Sequence, residues 1–194
     1  MTTQTYSFWS QADLEPKRKF RYLLYFAGMP QFIAKTVTKP SFQVGTTSHS
    51  FLQHNFNFPG RVTWQDVSLT LVDAIDPDST ATLYKIIKDA GYVLPPNVSN
   101  EDLGGTRTIT KEGMVNSLGP TVRIDTIGGD GASDIIESWI LNNPQIQSVN
   151  FDSLDYSSDE LLNIQITLKY DWASLNEAVT IEPITWPNGN TPQG

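Results

Sequence analysis

The residues that could do chemistry are few and poorly placed for it. His49 and His54 are the only histidines, and no cysteine is present to complete a metal site beside them. Structural zinc needs a closed set of four ligands, so the pair reads as one loop residue and one strand residue. Asp73, Asp76 and Asp78 crowd one turn, but a calcium loop of the EF-hand kind needs a central Gly and a distal Glu. Helix capping accounts for these carboxylates instead. Gly128 to Asp134 has the composition of one calcium-binding β-helix repeat. Such repeats bind only in arrays, so the segment reads as a turn. No P-loop, GxGxxG or nucleophile elbow occurs. The expectation is a protein that is not an enzyme and needs no cofactor or metal.

The charge pattern is more informative than any motif. The formal net charge is −8, yet four of the thirteen basic residues sit in Lys17-Arg18-Lys19-Phe20-Arg21. Between Arg123 and Lys169 there is no basic residue, while that interval holds Asp125, Asp130, Asp134, Glu137, Asp152, Asp155, Asp159 and Glu160. A chain that grips nucleic acid shows the reverse, a basic stripe that neutralises phosphates. Lys17 to Arg21 reads first as a solvated strand edge.

A second pattern concerns neutral polar residues. Gln53, Asn55 and Asn57, then Thr63, Gln65, Ser68 and Thr70, then Asn163, Gln165 and Thr167 form the polar phases of three strong strands. They carry no basic residue until Lys169. Wet strand faces usually include Lys or Glu, partly to block edge pairing. Two readings stay open: an ordinary wet face of low charge, or a wall past which a polyanion slides without sticking.

These residues must be positioned by strands. The chain is organised around Phe51 to Asp73, which reads as a strand, a Pro59-Gly60 corner and a second, longer strand. Leu52, His54, Phe56 and Phe58 share one phase. Val62 and Trp64 alternate next, and Val67, Leu69 and Leu71 follow in the opposite phase. Side chains alternate with period two, so the change needs a bulge or bend near Gln65-Asp66. Upstream, Phe20 to Phe26 and Phe32 to Thr38 read as a hairpin, Phe42 to Val44 as a short extended piece, and Gly45 to Ser50 as a loop.

Downstream, Ser79 to Ala90 has helical spacing and Gly91 supplies its stop. Tyr92 to Gly119 reads as a long loop with a weak strand at Thr106 to Thr110. Thr121 to Ile127 is a strand, and Ile135, Ile136, Trp139 and Ile140 suggest a short helix. Ile146, Val149 and Phe151 mark a strand of irregular phase. From Leu162 to Trp172 six apolar residues alternate strictly with polar ones, the mark of a sheet with one buried and one wet face.

The fold class expected is mainly β, a small antiparallel β-sandwich or barrel with one flanking α-helix and long loops. At 194 residues the chain divides into an N-terminal arm (1–16), a β domain (17–174, with an insertion at 91–121) and a flexible C-terminal extension (175–194). No run approaches the length needed to span a bilayer, the first residues lack a charged-then-apolar leader, and disulfides are excluded. No membrane partner is expected. The polar arm orders only on a partner, so Phe8, Trp9, Lys17, Arg18, Lys19 and Arg21 are candidate contacts to a neighbouring subunit.

Lys39-Pro40, Phe51 to Phe58, Pro59-Gly60-Arg61-Val62, Trp64 and Leu69-Thr70-Leu71-Val72-Asp73 together resemble the tail tube proteins of contractile-tailed, myovirus-type bacteriophages. Ile146 to Trp172, a strand, an acidic loop and a last strand ending Tyr170-Asp171-Trp172, extends the resemblance to about half the chain. The resemblance implies a virion protein made in the host cytoplasm, with six copies per ring and rings stacked into a tube. Strands of neighbouring subunits would continue one another into a larger ring-shaped β-barrel. It further implies tail sheath, baseplate and terminator proteins as partners, and DNA that passes through the lumen without specific binding. Tubes of type VI secretion systems share that fold. On this reading Gln53, Asn55, Asn57, Asn163, Gln165 and Thr167 are the candidate lumen-facing residues. A tube-like baseplate or terminator protein is the alternative, and a small β-barrel ligand-binding module is disfavoured by the missing catalytic set.

Overall fold

The computed structural model describes residues 16–94, 108–129, 131 and 134–177. In chain order these hold β1 (Tyr22–Tyr25), β2 (Ala34–Val37), β3 (Phe42–Phe51), β4 (His54–Trp64), β5 (Val67–Val72), α1 (Ser79–Asp89), α2 (Lys111–Leu118), β6 (Thr121–Ile127), β7 (Ile135–Asn142), β8 (Gln145–Asn150), β9 (Asn163–Lys169) and β10 (Trp172–Glu177). Two four-stranded antiparallel sheets run in the orders β1-β6-β7-β10 and β2-β5-β9-β8, and β3 pairs only with β4.

Alternation builds the second sheet. Val67, Leu69 and Leu71 of β5 face the interior beside Leu168, Ile166 and Ile164 of β9 in register. Their polar neighbours are left on the other side. Leu24, Val122, Ile124 and Leu141 of the first sheet join the same core, as do Leu83, Ile86, Met114 and Leu118 of the helices. Each such side chain contributes about 1.5–3 kcal/mol by leaving water. The alternation expected from Leu162 onward holds through buried Tyr170. There the chain changes sheet: the Asp171 N–H donates to the Asn142 carbonyl at 3.1 Å, and β10 pairs with β7. β10 runs through Leu175 to Glu177, beyond the expected boundary at 174.

The acidic turn caps α1 as expected. Asp78 Oδ1 accepts from the Ala81 N–H at 2.8 Å, and Asp73 accepts from the Thr80 hydroxyl at 2.8 Å. The phase break expected near Gln65-Asp66 falls between β4 and β5, where the chain passes from the hairpin into a four-stranded sheet.

The first two strands form no hairpin, since β1 pairs with β6 and β2 with β5 in different sheets, and three further expectations are corrected. Two helices flank the sheets, not one: α2 lies inside the stretch read as a long loop. Its first turn is capped by Thr110, whose hydroxyl accepts from the Gly113 N–H at 3.0 Å. Two glycines permit its close approach to α1. A Cβ at Gly91 (φ 117°) would lie 2.4 Å from the Thr108 carbonyl oxygen, and one at Gly113 would lie 2.6 Å from that of Ala90. Second, Ile135 to Ile140 is strand, not helix. β7 sits between β6 and β10, and an interior strand carrying apolar residues on both faces loses its alternation and mimics helical spacing. Third, Gly45 to Ser50 is no loop and Pro59-Gly60 is no corner; both lie within the long β3–β4 hairpin.

Candidate assembly interface

Among the described residues the β3–β4 hairpin is a long, exposed and largely apolar surface. Every residue of β3 and β4 except half-buried Trp64 is exposed. Eleven residues in β4 at ~3.3 Å each give it a length of about 35 Å. Its register shifts between Val44, opposite Val62, and Thr46, opposite Pro59. At that point Gly45 and Gly60 face each other: a Cβ on Gly60 would come within 3.1 Å of the Gly45 carbonyl oxygen. The extra residue swaps the faces of β4. Toward the tip, Phe51, His54, His49, Phe56, Thr47 and Phe58 share one face, and Ser48, Ser50, Asn55 and Asn57 the other. Toward the root, Phe42, Val44, Val62 and Trp64 gather on the face that is polar at the tip. Phe58 is 56% exposed and Leu52, at the tip, 87%.

The root is fixed to the body. The Trp64 ring lies 5.4 Å from Phe42 and 6.0 Å from Tyr170, and it packs on the core. The Gln65 N–H donates to the Ser41 carbonyl at 2.8 Å, while Thr38 and Ser68 exchange bonds at 2.9 Å. An apolar ribbon anchored this firmly and left uncovered among the described residues is a surface fit for a partner.

A second feature lies where edge strands β1 and β2 meet. A cleft of about 480 Å³ is rimmed by Lys17, Arg18, Lys19, Arg21, Lys35 and Lys39. Its floor is Tyr22, Val37, Ile124 and Thr126, and no acid is among its lining residues. Behind it Glu137, on β7, accepts from both Lys17 and Lys39 and from Trp139 Nε1 at 3.1 Å. Burial pushes the Glu137 carboxyl up, but the two ammonium groups outweigh it and hold it at about 2. Lys35 donates to Asn163 Oδ1 at 3.0 Å.

A third feature is the β8–β9 loop, residues 151–162. Asp152 accepts from the Ser153 and Asn163 N–H groups at 2.9 and 3.2 Å, and Asp155 from the Ser157 N–H and hydroxyl at 2.9 and 2.8 Å. Those bonds hold both carboxyls below the usual range. The loop exposes Leu154, Tyr156 and Leu161 beside Asp159 and Glu160.

The structure divides the expected lumen residues into two groups. Asn163, Gln165 and Thr167 lie on the outward face of β9, with Gln165 opposite Thr70 and Asn150, and Thr167 opposite Ser68 and Ser148. This makes a neutral polar face three strands wide. Gln53 sits in the tip turn, and Asn55 and Asn57 lie on the hairpin, where the Ser50 hydroxyl donates to Asn55 Oδ1 at 2.6 Å. Lys17, Arg18, Lys19 and Arg21 all line the cleft; Phe8 and Trp9 lie outside the described residues. Sequence reasoning missed Lys35, Lys39 and Glu137, because only the packing of the two sheets brings these scattered residues to the basic segment.

No protein-family model and no curated protein sequence matches the chain. Solved structures do. A chain of the anti-feeding prophage tube-terminating cap aligns at 19% identity and TM-score 0.57, over 84% of this chain and 93% of that one. Chains of the sheath/tube terminator and of the sheath–tube complex of an extracellular contractile injection system align at 14% identity and TM-score 0.55. Each covers 84% of this chain, and 97% and 93% respectively of its partner in the alignment. At these identities the likeness establishes the fold: a mainly β fold shared with chains of contractile injection systems.

Proposed function

We propose that the chain is a structural subunit of the inner tube of a contractile tail-like particle. It forms hexameric rings that stack into a conduit for DNA, with sheath, baseplate and terminator proteins as its neighbours. The observation that carries this reading is the β3–β4 hairpin, rooted in the core yet apolar and uncovered along its length. The shared fold with chains of sheath–tube structures supports the same reading. Sheet β2-β5-β9-β8 has two free edges, and ring closure would pair them and remove the aggregation hazard of both.

On this reading the face of Asn163, Gln165 and Thr167 lines the lumen, and its neutral centre, with Lys35 bonded to Asn163 at one end and Lys169 at the other, offers DNA little to grip. The purified protein should form rings or filaments in negative-stain micrographs; a monodisperse monomer at high concentration would sink the proposal. Gln165→Lys or Thr167→Lys should leave tubes intact and slow DNA passage at low salt, because each lysine recurs in every subunit of every ring. Added salt should relieve the slowing. The matching changes Gln53→Lys and Asn55→Lys, on the hairpin, should alter assembly more than passage.

A tube-end protein is a second reading, favoured by the likeness to chains of a cap and of a sheath/tube terminator. Single rings that never elongate would select it over the tube.

A further inference from the structure

Six of the thirteen basic residues of the chain line one cleft, and four acids occupy one loop of twelve residues. The two surfaces also match in their apolar parts: Tyr22, Val37 and Ile124 floor the cleft, and Leu154, Tyr156 and Leu161 project from the loop. An apolar centre with a charged rim is the common anatomy of a protein contact, and here the rims have opposite sign.

The topology sets these surfaces at opposite edges of the same sheet. The cleft lies beside β2, the first edge strand, and the loop leaves β8, the other. Adjacent strands alternate in direction through three antiparallel pairings, so β2 and β8 run antiparallel to each other. A second copy placed edge to edge therefore presents its β8 to β2 in the orientation that extends an antiparallel sheet. The level matches as well. Lys35 bonds Asn163 across the end of β5, and Asp152 bonds the Asn163 N–H from the loop side, so cleft rim and loop root share one end of the sheet. An in-plane shift by one sheet width lays the neighbour's loop over the cleft.

We infer that the basic cleft beside β2 receives the acidic β8–β9 loop of the next copy, as a charge-matched clamp between neighbouring subunits. The proposal rests on the tube reading only for the identity of the partner. The contact is heterologous, donor to acceptor, so it propagates from copy to copy and closes when the rotation allows. Opposite charges at its rim also steer association and reject misaligned partners. The loop is preformed by its own Asp152 and Asp155 turns, so little ordering is needed on docking.

The test is a charge swap in the full chain. Asp159 and Glu160 make no side-chain turn bond among the described residues, so D159K/E160K cancels the loop's net charge of −4 while leaving its turns intact. K19E/K35E lowers the cleft from six positive charges to a net of two without touching the Lys17–Glu137–Lys39 clamp. Each double variant should melt like the parent by circular dichroism and raise the concentration needed for ring formation by about tenfold or more. All four changes in one chain should recover part of that loss, because Glu at the two cleft positions then faces Lys at the two loop positions across every interface. Added salt should weaken assembly of both the parent and the swapped chain.

Rings that persist in both double variants overturn the clamp and leave the tube reading standing. Parent chains that never form rings overturn the tube reading itself. A folded four-change variant that assembles no better than either double variant also overturns the pairing. So would double variants that build normal rings but lose a sheath-type partner, which would assign the cleft to the outside of the tube.

Discussion

Strand β9 and strand β4 are built from the same ingredients and meet opposite fates. Both alternate apolar side chains with neutral polar ones. In β9 the apolar set, Ile164, Ile166 and Leu168, is sealed in the core. In β4 the apolar set, Phe56, Phe58 and Val62, remains half in water. The difference is pairing, not composition: β9 has strands on both sides and a second sheet against its inner face, whereas β4 has only β3. Period-two alternation specifies which residues share a face. It does not say whose atoms will cover that face.

The contrast yields four tests, ordered by their effect on the stability of the isolated chain. Leu69→Ala removes a fully buried side chain between β2 and β9. It should cost about 2–5 kcal/mol by denaturant titration; a smaller loss would mean the body is as loosely covered as the hairpin. Glu137→Gln comes next, since it leaves Lys17 and Lys39 without their anion. The Glu137 carboxyl is lowered from 4.5 to about 2 on folding. Its stabilisation is therefore fully present above about 4.5 and is lost as pH falls toward 2. The melting gap between parent and variant should be open at pH 7 and closed near pH 2. A gap independent of pH would show that Glu137 acts by packing alone.

Asp78→Ala removes the cap of α1 and should cost about 1 kcal/mol, read by the same titration. The smallest stability effect belongs to the hairpin. Phe56→Ser with Phe58→Ser should move the free chain's midpoint by less than about 0.5 kcal/mol per site. The same pair should abolish higher-order assembly by light scattering. Destabilisation comparable to Leu69→Ala would erase the distinction between the two regions.

Much of the architecture was legible because alternation is a local signal. The outward row of Asn163, Gln165 and Thr167 and the buried row of Ile164, Ile166 and Leu168 could be assigned from spacing alone, as could α1 with its Asp78 cap and Gly91 stop. The Gln65-Asp66 break was visible because alternation cannot change phase without cause. What failed had no local signature. β7 mimicked a helix because it carries apolar residues on both faces, Ile136 and Ile140 on one and Ile135, Trp139 and Leu141 on the other. α2 is eight residues long with a glycine inside, too short to print a periodicity. Pro59-Gly60 announced a distortion correctly, but a bulge and a corner share that composition, and only the opposing Gly45 tells them apart. The cleft was half visible: Lys17 to Arg21 stood out as a run, while Glu137 on β7 and Lys35 and Lys39 on and after β2 join it only because the two sheets pack together.

On the proposed tube reading, the two faces of the hairpin bear on polymer length. A ribbon whose apolar side changes over at Gly45 and Gly60 offers its root and its tip to different surroundings. Stacking that buries such tips in the next ring runs in one direction and leaves the terminal layer bare. Growth then has no internal stop, and every added ring recreates the vacancy it fills. A fixed length must be imposed by a ruler or by a lid that supplies the receiving surface without offering a hairpin of its own. Shortening β3 and β4 symmetrically, below the Gly45–Gly60 step, would turn this subunit into such a lid.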